Sequence, residues 1–543
     1  MVVNGGDSVS LFRNRRLRLI VVGLLSALFV LTLSFGCAGK QAAGPGSEKP
    51  KKGGNLTMGF DRETDTFDIY QMTWGSGQEY VYESLTTRDW DYKVVGSLAE
   101  SWESTPDGKT WTFHLRKGTK WHDGTPFTSK DVKRYYEVML DPKTAAANAL
   151  DWTWIKSMDT PDDNTIVFHL DSPFPNLFGK TSNSYGSIMN PDAYAKYGPD
   201  GTKEYGTKIA IGTGPLKLKE WIPGDKVVFE RNPDYRWGPL FVANKGPVWV
   251  DTVTFKTIPD AATRLAELET GNVQILANVP VEHYDRVAKI PNVEVFKEPA
   301  FGLGYLAFAT DKKPFNDPKV RQAVNLAVDR EALVKSVFFG LAQAAYGYLP
   351  PRTPEAYQDT AAIRYDVAAA KKLMTEAGYP NGFKATLATQ NRTEHVRVAQ
   401  AIQPMLEAIG IKTEIVQYDE AGYKDFLKAG KQELFMRQYE WDNADILQWF
   451  LYSRQVPYPG HSRWADRKTD ELIDAAESAI TPELRAQKYV ELQKYLIEQS
   501  VWSPLWYPMA ITAVRTDLVG GFKPFPGGGN VVIFDLWMKK NVK

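Results

Sequence analysis

The 543-residue chain holds a single cysteine, Cys37, so no intramolecular disulfide can staple it and no second thiol is at hand. Its six histidines, His114, His122, His169, His283, His395 and His461, are scattered without metal-ligand spacing. No metal or other cofactor is expected. A G-x-S-x-G elbow, a G-x-x-x-x-G-K-[ST] phosphate loop and an H-E-x-x-H pair are all missing, which removes the commonest hydrolase and nucleotide signatures. Neither sign of charge is in excess: 65 Lys and Arg balance 65 Asp and Glu. Such a chain has no long-range field to gather nucleic acid, and no basic stripe marks a groove for it.

What is present begins at the N-terminus. Arg13, Arg15, Arg16 and Arg18 precede an uncharged, Leu/Val/Ile-rich stretch over 19–33, followed by Ser34, Phe35, Gly36 and Cys37. A basic segment followed by an apolar one is the grammar of an export signal. The stretch resembles a bacterial lipoprotein signal, whose pattern is Leu, then a small residue, then Gly or Ala, then Cys. Gly36 and Cys37 match that pattern; Ser34 and Phe35 do not. The expectation is a signal peptide over 1–36 and lipidation of Cys37, which would anchor the protein to the outer face of the cytoplasmic membrane. An uncleaved anchor and a buried apolar helix are the alternatives. Residues 38–52 carry no large apolar side chain and read as a flexible tether, together with Cys37 a segment of 37–52. Removing 1–36, with four arginines and one aspartate, leaves 61 basic against 64 acidic side chains.

The body, from about residue 53, is long enough for two or three lobes. WTFHL (111–115) and TIVFHL (165–170) alternate apolar and polar side chains, as half-buried strands do. KVVFE (226–230) and VTFKTI (253–258) read as further strands. Helices are expected from Thr128, over 261–270 with Gly271 as C-terminal cap, and after Asp317, Asp329 and Asp366. A long helix over about 394–409 ends at Gly410 and feeds the strand IKTEIVQ (411–417). Helix, glycine, strand is α/β grammar. In WHDGTPFTSKDV (121–132) the residues His122, Asp123 and Asp131 look catalytic, but a turn at Asp123-Gly124 and a helix cap at Thr128 account for them.

Several segments together resemble family 5 of the bacterial extracellular solute-binding proteins, the dipeptide and oligopeptide receptors of ABC importers. They are LAESWESTPDGKTWTFHLRKGTKWHDGTPFTSKDV (98–132), GTGPLKLKEWIPGDKVVFERNPDYRWG (212–238), ETGNVQI (269–275), PFNDPKVRQAVNLAVDREAL (314–333) and YDVAAAKKLMTEAGYPNGF (365–383). The resemblance implies an α/β, class II periplasmic-binding-protein fold with two main lobes, an extra domain and a ligand cleft between the lobes. It places domain I at 53–94, 216–305 and 506–543, domain II at 95–215 and domain III at 306–505, with motion at crossings near 305–308 and 503–506. It also implies a receptor, not an enzyme, that serves ABC importer permease subunits as a monomer.

The segment YEWDNADILQWFLYS (439–453) sets Glu440, Asp442 and Asp445 among large aromatics, a combination suited to a ligand ammonium and the apolar surface beside it. A core of aromatics with a solvated acidic rim is the alternative. In peptide-binding relatives an aspartate in an Asp-Asn-Gly-Asp stretch receives the peptide's α-amino group. Asp442-Asn443-Ala444-Asp445 is similar, although Trp441 abuts Asp442 and Ile446 stands where proline is usual. The resemblance thus points to Asp442 with its neighbours Tyr439, Trp441 and Asn443. It also points to Trp74 in the first domain I segment and, less directly, to Trp506 and Tyr507. Arg437 could receive a ligand carboxylate or pair internally with Glu440. Peptide ligands would want Asp442 in the cleft and unpaired by protein cations. An oligosaccharide would want parallel aromatic platforms instead.

Overall fold

The computed structural model describes residues 48–71, 76–174, 177–182, 186–528 and 530–540. The export segment, Cys37 and Trp74 lie outside these residues. All that follows concerns the compact unit Pro50–Lys543. Among the described residues no helix is long and apolar enough to cross a membrane.

The chain starts with β1 (Asn55–Phe60), then a short hairpin of β2 (Thr86–Arg88) and β3 (Val94–Gly96). Strands β4 (Ala99–Ser104), β5 (Thr110–Leu115), β6 (Ile155–Asp162) and β7 (Thr165–Leu170) form a separate antiparallel sheet in the order β4-β5-β7-β6. The chain then returns with β8 (Leu216–Ile222), β9 (Lys226–Arg231), β10 (Thr252–Thr257), β11 (Ile275–Leu276) and β12 (Val293–Pro299). In this region β1 lies between parallel neighbours β10 and β11.

A second group comprises β13 (Gly302–Phe308), β14 (Ala342–Ala344), β15 (Phe383–Gln390), β16 (Ile411–Tyr418) and β17 (Leu434–Glu440). The 14-residue β18 (Trp502–Arg515) belongs to both groups. Its first half pairs with β13, and its second half, from Met509, pairs with β12. The two groups therefore form one twelve-stranded sheet. Gly304 is required where β13 meets β18, because a Cβ there would lie 2.2 Å from the indole of Trp506.

Burial follows the pleat. On β17, Leu434 and Met436 enter a cluster with Val324, Met374 and Ile402 on one face; Phe435 and Tyr439 enter another with Tyr423, Ile473 and Leu492. Helices thus cover both faces of the second group, which makes it a buried α/β layer. In the first lobe a single cluster joins Leu56, Phe229 and Val253 to Phe113, Tyr136 and Ile166, so the four-stranded sheet shares its core with β1 and β8–β10.

The local expectations hold in detail. Strands occupy 110–115, 165–170, 226–231 and 252–257. Thr128 and Asp131 close a reciprocal capping box, Asp317, Asp329 and Asp366 each cap a helix, and Gly271 ends one at φ 81°. His122 is buried, its Nε2 3.0 Å from the Gly214 carbonyl. Pairing partners change between Pro299 and Gly302 and between Pro508 and Met509.

Candidate ligand-binding cleft

The hairpin β2–β3 is turned by Asp89, whose Oδ1 accepts from the Asp91 and Lys93 amides, each at 2.9 Å. Within that turn Tyr92 adopts φ 64°, a left-handed conformation costly for a bulky side chain. The geometry turns its ring onto Phe301, at 4.4 Å between centroids, and its hydroxyl onto Asp442 Oδ2, at 2.8 Å. Burial and the neighbouring Asp442 carboxylate push the Tyr92 phenol well above its ordinary range, so it stays a donor. Arg88, on β2, lies over the same ring at 4.7 Å and donates from Nη1 to the Tyr92 carbonyl at 3.1 Å. Its Nε lies 3.8 Å from Asp442 Oδ2.

Asp442 itself leaves the end of β17 in a loop braced by its neighbours. Asn443 donates to Asp442 Oδ1 at 3.2 Å and accepts from the Asp445 amide at 3.0 Å. The Trp441 amide donates to the Phe301 carbonyl at 2.7 Å. Two cavities meet around Asp442, Tyr92, Phe525 and Asn530. One, of about 270 Å³, runs between Arg88, Glu79, Glu83 and the rings of Tyr80, Tyr82 and Phe241. The other, of about 240 Å³, is walled by Phe301, Glu440, Trp441 and Gly527.

At the inner end of the first cavity Glu83 accepts from Thr213, Tyr235 and Trp237, each at 2.8 Å. Burial nevertheless pushes its carboxyl up to about 7. A further buried contact lies to one side. Lys180 pairs with Asp445 Oδ2 at 3.0 Å with both side chains nearly buried, and Trp441 Nε1 donates to Asp445 Oδ1 at 2.5 Å. A cavity of about 440 Å³ flanks this pair, between Trp154, Phe174 and the helix that ends at Glu477.

Of the expected site residues, Asp442 and Trp441 line the cleft, and Asn443 supports Asp442 from the loop. Asp442 is not unpaired by protein cations: Arg88 stands beside it. Tyr439 is core; it is buried against Tyr305 and Trp502, and its hydroxyl donates to the Tyr348 carbonyl at 2.5 Å. Trp506 is core too, packed on Phe338 at 5.1 Å, and Tyr507 donates to the Gly347 carbonyl from a buried position. Both follow from their place on β18, where one face packs into the cluster of Val324, Met374 and Ile402 and the other into the cluster of Tyr423, Ile473 and Leu492. Arg437 does not pair with Glu440, which accepts from Gln438 at 3.3 Å. It sits beside Tyr305, outside the two cavities. Arg88, Tyr92 and Phe525 were missed, since no local spacing links them to residue 442.

This chain matches the model for bacterial extracellular solute-binding proteins, family 5 (middle), over residues 93–456. It belongs to that family. The glutathione-binding protein GsiB of Shigella flexneri serotype 5b is 30% identical over 452 residues, 81% of this chain and 85% of that protein. The periplasmic binding protein DppA of Helicobacter pylori, solved with the peptide STSA, superposes with a TM-score of 0.77 at 28% identity, covering 90% of this chain and 99% of that one. The oligopeptide-binding protein AppA of Bacillus subtilis, solved with a nonapeptide, gives 0.76 at 25% identity, covering 91% and 100%. The fold is thus the two-lobed class II architecture of these receptors. The chain is an extracytoplasmic solute receptor of ABC import and not a catalyst.

Proposed function

We propose that this receptor captures peptides, holding the free N-terminal ammonium at Asp442, and passes them to ABC permease subunits. The observation that carries the reading is the Asp442 carboxylate, set where the two cavities meet and bonded by Tyr92 of the opposite lobe. A charge-assisted bond to a ligand ammonium is strong in such a half-buried place. Two flanking cavities offer room for side chains or for chain continuing past the first residue. The relatives that bind glutathione, STSA or a nonapeptide support the same ligand class. Binding would act as a population shift, because a ligand touching both lobes favours their closed arrangement. In this reading the lobes divide as 53–94, 216–305 and 506–543 against 306–505, with 95–215 as the extra domain. Lipidated Cys37 would tether the receptor beside its permease, a monomer on the outer membrane face.

Isothermal titration with Ala-Ala-Ala and its N-acetyl form tests the proposal. The free tripeptide should bind and acetylation should weaken it at least tenfold. Binding of cello-oligosaccharides with no response to either peptide would overturn it.

A further inference from the structure

We propose that the cavity running from Asp442 to Glu83 receives the first side chain of the peptide, and that Glu79 and Glu83 select a cationic one. This rests on the peptide reading above and narrows it to a side-chain class.

Glu79 stands in the short helix Gln78–Val81 and Glu83 two residues past its end, and both line the cavity of about 270 Å³. Glu83 is only 8% exposed, and its partners Thr213, Tyr235 and Trp237 are neutral donors. Its Oε1 takes the Tyr235 bond and keeps capacity for a second. Glu79 Oε2 accepts from the Gly77 amide at 2.9 Å. Among the described residues neither carboxylate is ion-paired, and the cation lining the cavity, Arg88, stands beside Asp442 at 3.8 Å.

A buried charge is ordinarily paired, because taking it from water costs much more than a neutral group costs. The missing counter-ion shows in the carboxyls themselves: burial pushes Glu83 up to about 7 and raises Glu79 as well. A ligand cation would supply what the protein withholds, and would draw both groups back to their charged form.

The walls fit the rest of such a side chain. Tyr80 and Tyr82 commit their hydroxyls to the Val531 and Phe67 carbonyls, each at 2.7 Å, which leaves their rings to meet a ligand. Phe241, Phe525 and Phe534 line the same passage. Lysine and arginine carry a charged head on an apolar stem. Here the stem would lie along the rings and the head would reach the two glutamates.

The surroundings of Asp442 give this cavity the side chain and its neighbour the main chain. An ammonium held at Asp442 puts its own carbon where the two cavities meet. The neighbouring cavity is walled in part by Gly527 and Gly528, whose bare backbone lets another main chain approach closely.

Titration calorimetry with three tripeptides tests the inference. Lys-Ala-Ala carries the cation in the first side chain. Norleucyl-Ala-Ala keeps the stem without the ammonium, and Ala-Ala-Lys has the same atoms and charges as the first with the cation moved. Lys-Ala-Ala should bind at least tenfold more tightly than either. The double variant Glu79→Gln with Glu83→Gln should abolish that preference by weakening Lys-Ala-Ala alone. Equal or tighter binding of norleucyl-Ala-Ala or of Ala-Ala-Lys overturns the inference, as does a preference that survives in the double variant or an equal loss of all three. Should that variant fail to fold by circular dichroism, the comparison on the unaltered protein decides alone. Binding of Ala-Ala-Ala with no gain from a first lysine overturns this inference and leaves the peptide reading standing. Binding of no peptide at all overturns both.

Discussion

The Tyr92 hydroxyl donates to Asp442 at 2.8 Å, joining the β2–β3 hairpin to the loop after β17 across 350 positions of sequence. One end of the bond is a strained turn, the other a loop braced by Asn443. In the proposed function, ligand recognition and lobe closure would share this one carboxylate.

Asp442→Asn keeps the shape of the loop and removes the charge. Losing a hydrogen bond to a charged partner costs about 1.5–3 kcal/mol, equivalent to roughly a 10- to 100-fold rise in Kd. Titration with Ala-Ala-Ala should show that loss, whereas its N-acetyl form should bind the variant and the parent alike.

Tyr92→Phe keeps the ring on Phe301 and deletes one donor across the cleft. The net worth of such a bond is about 1 kcal/mol. Small-angle scattering of the ligand-free protein should show a larger mean radius of gyration, and saturating peptide should erase the difference. No change in scattering would mean that this bond does not bias closure.

The Lys180–Asp445 pair is buried and ties two segments far apart in sequence. Removing one partner of a buried pair costs about 3–5 kcal/mol, whereas replacing both by apolar groups is often neutral. Lys180→Met should lower the melting temperature and weaken peptide binding. The double variant Lys180→Met with Asp445→Leu should recover only part of the stability in thermal denaturation, because Asp445→Leu also removes the acceptor of Trp441 Nε1.

Two buried groups give opposite pH slopes. Burial raises the Glu83 carboxyl from 4.5 to about 7, so the folded state holds its proton more tightly than the unfolded one. The stability this provides is fully present below about pH 4.5 and lost as pH rises through about 7. Burial lowers His395 from 6.5 to about 4, so its contribution is present above pH 6.5 and lost as pH falls through about 4. Urea titrations between pH 4 and 8 should show Glu83→Gln gaining stability relative to the parent as pH rises. His395→Phe should gain relative to the parent as pH falls. Parallel pH curves would contradict both assignments.

Much of the fold was legible from local chemistry. Asp317, Asp329 and Asp366 cap helices because a carboxylate can satisfy free amides only at a helix start, and Gly271 takes a conformation other residues resist. The site was half legible. Asp442 stands in a recognisable acidic and aromatic segment, but its partners Arg88 and Tyr92 belong to a hairpin that reaches it only through tertiary packing. Tyr439 and Trp506 misled because an aromatic beside a binding segment looks the same in sequence whether it faces the cleft or the core. The pleat decides between those faces, and the pairing of β17 and β18 with β13 turned these rings inward.

The most direct test of the central claim is mass spectrometry of the ligand that co-purifies under native conditions, followed by its release and fragmentation. The account predicts amide-linked peptides with a free amino group on the first residue. Recovery of neutral glycans and no peptides would contradict it.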